Sequence, residues 1–126
     1  MKYLYKMLLA IACLAVISCG KKNNNDTIVP HTIKVTASGT AQFTTVVSAI
    51  RSSEVTAATL DTKTVTTGSY EYSTSLNAGD LIRVEIQTSG ENTINYAITD
   101  NGTTITQEVG KELGSFTKVN AEYTVK

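Results

Sequence analysis

The chain has no tryptophan, one proline, one histidine and two cysteines among its 126 residues. Each shortage removes a class of function. Cys13 and Cys19 both fall near the N-terminus, so the rest of the chain has no disulfide and folds on its core alone. The lone histidine, His31, has no second histidine or neighbouring cysteine with which to share a metal ion, and a zinc site needs three or four such ligands. No cofactor is implied. A Ser-His-Asp triad would need His31, just after Pro30, to meet a serine and an acid in a cleft, and no spacing suggests it. His31 reads as a surface loop residue. The missing tryptophan weakens any platform for stacking glycans. Basic and acidic residues balance at 11 each, which argues against nucleic acid, since that calls for a clustered basic surface. The longest apolar run, Met7 to Ile17, is shorter than the ~20 residues a membrane-spanning helix requires.

That run has its own meaning. Lys2 and Lys6 precede it, no acid does, and Val16, Ile17 and Ser18 lead directly into Cys19. Charged start, apolar stretch, small residue and cysteine in this order resemble the lipobox of bacterial lipoproteins. The resemblance implies that residues 1–18 are a signal peptide cut before Cys19. It also implies diacylglycerol transfer to the Cys19 sulfur and acylation of the new amine. The alternative is an ordinary signal peptide with a chance cysteine. Two or three acyl chains on one residue anchor a protein stably, whereas a single chain does not. Losing Lys2 and Lys6 takes the 11 basic residues to 9, against 11 acidic ones, so the mature protein is mildly acidic.

Residues 19–30 then read as the lipidated cysteine and a tether, "GKKNNNDTIVP", with nothing apolar enough to bury before Ile28. Lys21 and Lys22 either meet anionic headgroups, at roughly 1 kcal/mol each, or simply solvate the linker. Asp26-Thr27-Ile28 resembles the short O-glycosylation motif of Bacteroidetes, which would place a glycan on Thr27; three residues also match by chance. Gly20 after the cysteine resembles outer-membrane sorting in diderm bacteria. Lys21 and Lys22 do not fit the acidic pattern of surface export. The expected location is therefore the outer membrane, on its periplasmic side.

From His31 to Lys126 the chain suffices for one domain. Its pattern is all-β. Ile82, Val84 and Ile86 alternate with Arg83, Glu85 and Gln87; Ile94, Tyr96 and Ile98 share a face; Val119, Ala121, Tyr123 and Val125 alternate with polar residues. Such period-two alternation marks half-buried strands of an antiparallel sheet. Turn sequences at 77–80, 89–92 and 100–102 separate the later strands, and Asn101-Gly102 suits a tight hairpin. Earlier strands are expected at 32–37, 41–50, 55–60, 63–67 and 69–76. The second, "FTTVVSAI" in part apolar on both faces, reads as a central strand. Seven to nine short strands at this spacing predict an antiparallel β-sandwich, immunoglobulin-like in type.

Three stretches carry a family likeness. "IKVTASGTAQFTTV" (33–46) resembles the first hairpin of MmpS-like proteins; "LNAGDLIRVEIQ" (76–87) and "INYAITDNGTTITQE" (94–108) are similar to later elements of that family. The resemblance covers most of residues 33–125. It implies a small membrane-anchored β-sandwich that accompanies an RND-type transporter without catalysis. This chain departs from the family in lacking a late-strand cysteine pair and in having a lipid in place of a transmembrane anchor.

Groups that could do chemistry are few. Asp100-Asn101-Gly102 lacks the alternating oxygen ligands and terminal glutamate of a calcium loop, so a hairpin turn is the better reading. Glu71 and Glu85 could form a glycosidase pair, but both occupy outward strand positions. Tyr70 and Tyr72 share one strand face. They either pack in the core or form a platform for a sugar or partner. The expectation is thus a protein that is not an enzyme, held to the membrane by its N-terminal lipid, serving as an accessory or binding module for a membrane-associated protein partner. A surface glycan- or matrix-binding module is the alternative.

Overall fold

The computed structural model describes residues 28–126, which form eight strands: β1 (His31–Gly39), β2 (Phe43–Ile50), β3 (Ala58–Val65), β4 (Ser69–Leu76), β5 (Leu81–Thr88), β6 (Asn92–Asp100), β7 (Thr103–Leu113) and β8 (Lys118–Thr124). They build two antiparallel sheets, β4-β1-β6-β7 and β3-β2-β5-β8. The protein is a β-sandwich of short strands. Named by immunoglobulin convention, β2-β5-β8 follow strands C-F-G, and β1 with β4 follow B with E. The β6–β7 hairpin, inserted before β8, lies beside β1 where strand A lies in that fold.

The alternation predicted from the sequence is the core. Ile33 and Val35 from β1, Val47 from β2, Ile82, Val84 and Ile86 from β5, and Ile94 and Ile98 from β6 are almost wholly buried between the sheets. Burial of such side chains, at about 25 cal/mol per Å² of apolar surface, is the main stabilising term. The strand at 41–50 is indeed central, paired with β3 and β5, although it begins at Phe43. Val119 is only partly buried, because β8 is an edge strand.

One expectation is corrected. The two short strands anticipated at 55–60 and 63–67 are a single strand, β3. Val47 pairs with Asp61 and Ser48 with Thr59, leaving Leu60 as the extra residue of a bulge. A bulge absorbs the irregular residue without ending the strand. Val55 lies in the preceding loop, exposed.

The ends of the strands define the ends of the sandwich. At one end lie His31, where the chain enters the domain, the 51–57 loop, the 77–80 turn and the Asn101-Gly102 turn. We label this the tether end, after the tether expected at residues 19–30. Asn101 and Gly102 both have positive φ, as the predicted hairpin turn requires. At the far end lie the 40–42, 66–68, 89–91 and 114–117 connections. There Gly39 sits so close to its neighbours that a Cβ would stand 2.7 Å from Ile94 Cδ1 and 2.8 Å from Asn92 Oδ1.

Candidate functional site

The tether end is held by two carboxylates drawn almost completely out of water. Asp80 closes the Asn77–Asp80 turn, whose Gly79 has a φ of 90°. Its side chain accepts hydrogen bonds from the Ser52 N–H at 2.8 Å, the Asn77 N–H at 3.0 Å and the Arg51 guanidinium at 2.9 Å. Its own carbonyl accepts from the Val125 N–H, so the C-terminal segment is bound into the same cluster. Burial alone pushes the Asp80 carboxyl upward, but the two backbone donors and Arg51 outweigh it and hold the group below the usual carboxylate range.

Asp100, at the end of β6, is the second. His31 Nδ1 lies 2.8 and 2.9 Å from its two oxygens, and the Tyr123 hydroxyl donates to it at 2.7 Å. A carboxylate only accepts, so Nδ1 carries the proton. The bond to Asp100, with burial, raises the Tyr123 phenol above its ordinary value. His31 is therefore not the surface loop residue the sequence suggests. It is the first residue of β1, half-buried, in a network joining β1, β6 and β8. Among the described residues no serine or cysteine is hydrogen-bonded to the ring, and no group of three or more His, Cys, Asp or Glu side chains is placed to hold a metal.

Of the residues singled out by sequence, Cys19 and Thr27 lie outside the described residues. Tyr70 is buried at 1 % exposure, and its hydroxyl donates to Asp61 at 2.7 Å. Burial and that bond raise its phenol far above the ordinary range. Tyr72 is half-buried against the same core. The pair is packing, and no stacking platform exists there. Glu71 and Glu85 lie on different sheets, each engaged by a lysine at 2.9 Å, Lys34 and Lys118 respectively. They do not form a catalytic pair.

The far end holds what the sequence reading missed. Phe116, in the β7–β8 turn, is 88 % exposed with a φ of 56°. It lines a groove of about 460 Å³ with Gln42, Thr44, Gln87, Ser89 and Thr117. The turn is fixed by hydrogen bonds: the Thr88 hydroxyl donates to the Gly114 carbonyl at 2.9 Å, the Thr117 hydroxyl to the same carbonyl at 2.7 Å, and the Thr88 N–H to the Thr117 carbonyl at 3.0 Å. Asn92 fixes the opposite side, accepting from Thr40 Oγ1 and the Ala41 N–H and donating to the Ala41 and Gln42 carbonyls. The available signal was an aromatic residue in a Gly-Ser-Phe-Thr turn, outside any alternating run.

Compared with family models, curated proteins and solved structures, the chain matches none.

Proposed function

We propose that the protein is a non-catalytic, lipid-anchored component of the cell envelope, attached through Cys19 to the periplasmic side of the outer membrane. Its domain serves as an accessory or binding module for a membrane-associated complex. The observation that carries this reading is the order of Lys2, Lys6, the apolar run, Ser18 and Cys19, followed by a polar stretch that reaches the domain at His31. The resemblance of residues 33–125 to MmpS-like domains points to a transporter as the partner. Residues 20–30 can reach no further than about 36 Å, the limit of a fully extended chain. Such confinement raises the effective concentration of the domain near a membrane partner, so a weak contact suffices.

The test is to replace residues 1–19 with a cleaved signal that adds no lipid. Envelope proteins that co-purify with anchored and released forms are then compared at equal abundance. Loss of most partner recovery with the released form is expected. Equal recovery overturns the anchored role and favours a soluble ligand.

A further inference from the structure

Phe116 is destabilising twice over where it stands. A bulky residue with a left-handed backbone is a strained outlier, and a ring that is 88 % exposed returns almost no burial energy. Glycine would relieve the backbone at once. Even so, the turn is pinned by three hydrogen bonds that hold the ring at the rim of a groove. Strain retained at a rigid, solvent-facing aromatic points to a ligand that covers it.

The lining decides which ligand. Apart from Phe116 and the base of Phe43, the groove presents two amides, Gln42 and Gln87, the Ser89 hydroxyl, and the hydroxyl oxygens of Thr44 and Thr117, which are already bonded to Thr64 and Gly114 and keep acceptor capacity. Its one charge, Lys118, is matched by Glu85 at 2.9 Å. Gln87 also donates its amide N–H to Glu85, which leaves the amide oxygen as an acceptor. An apolar ring face beside several uncharged donors and acceptors, with no net charge, complements a neutral sugar ring. The sugar has C–H faces to stack on an aromatic and hydroxyls that both donate and accept. The adjoining groove of the far end, lined by Glu91 and Glu112, is acidic by contrast.

We propose that the groove between the 87–89 strand end and the 114–117 turn is a binding site for neutral oligosaccharide, with Phe116 as its stacking platform. The site lies at the opposite end of the sandwich from His31, and it depends on neither the lipid anchor nor the protein partner proposed above. Cellohexaose, maltohexaose and mannohexaose, with a galacturonic acid hexamer as the anionic comparator, serve as probes against the isotope-labelled full chain in detergent. At least one neutral hexasaccharide should shift the amide resonances of Thr44, Gln87, Ser89 and Thr117. Phe116→Ala should weaken that binding at least tenfold. Phe116→Gly should lose binding equally while melting no lower than the parent, which separates a ligand role from a folding role. Four outcomes overturn the proposal: no response to any neutral probe, shifts confined to other surfaces, undiminished binding by Phe116→Ala, or response to the anionic hexamer alone. A photocrosslinker at position 115 that captures a protein in cells, undiminished by excess hexasaccharide, also overturns it in favour of protein docking.

Discussion

At the tether end, Asp80 and Asp100 gather the loops with charge-assisted hydrogen bonds; at the far end, Asn92 and Thr88 do the same work with a neutral amide and a hydroxyl. A carboxylate accepts more strongly than an amide oxygen, but it loses that capacity when protonated. Asn92 has no such weakness. The two ends therefore differ in what can loosen them. They differ also in what they present: buried carboxylates beside the incoming chain, and an exposed ring over a groove without net charge on the other side. Under the proposed anchoring, the firmly closed end would face the membrane and the proposed groove would face away from it.

The comparison loses its meaning if the chain is not anchored, so the largest expected effect concerns Cys19. Cys19→Ala should abolish incorporation of a clickable fatty acid and leave an unprocessed or soluble form. Equal label on the variant would remove the membrane from the account.

Next comes the buried cluster. Asp80→Ala leaves the Ser52 and Asn77 N–H groups without an acceptor and Arg51 without its partner, and should cost about 3 kcal/mol in urea unfolding. Asn92→Ala, at the other end, should cost about 2 kcal/mol, because its lost hydrogen bonds involve no charge. A larger loss at Asn92 would reverse the ranking of the two ends.

Acid sharpens the contrast further. The Asp80 carboxyl is held below its unfolded value, so its stabilisation is fully present above about pH 4, the unfolded carboxylate range, and is lost as pH falls through the folded value. Unfolding free energies of the parent should decline on titration below that range. Asp80→Asn should flatten the decline, while Asn92→Ala should keep the parental slope. Equal slopes for parent and Asp80→Asn would show that other groups govern acid stability.

The smallest effect belongs to neither end. Thr45 sits inside β2 with its hydroxyl fully buried and, among the described residues, without a hydrogen-bond partner. Thr45→Val keeps the shape, removes the unmet polar group, and should stabilise by about 1 kcal/mol. A destabilised variant would reveal a partner for the hydroxyl.

How much of this was readable in the sequence follows from the range of the interactions. The Ile82-Val84-Ile86 alternation and the Asn101-Gly102 turn are local signals, and they located strands and hairpin correctly. The turn at 77–80 was equally plain, yet nothing local said that Asp80 would meet Arg51 and Ser52, nearly thirty positions away. His31 looked like a loop residue because its partners Asp100 and Tyr123 come from the far half of the chain. The strands expected at 55–60 and 63–67 are one because a bulge at Leu60 and the Tyr70 hydroxyl on Asp61 keep the intervening residues in the sheet. Phe116 went unnoticed because its significance lies in exposure and a positive φ, which composition and periodicity do not encode.

The central claim is that one end of the sandwich is held toward the membrane and the other is turned away. It is tested most directly by paramagnetic lipid, incorporated in bilayers carrying the lipidated full chain, with amide line broadening read at both ends. Asn101 and Glu54, at the tether end, should broaden more than Gly90 and Ser115 at the far end, and Cys19→Ala should abolish broadening at all four. Equal broadening at both ends, or stronger broadening at Gly90 and Ser115, would contradict the account.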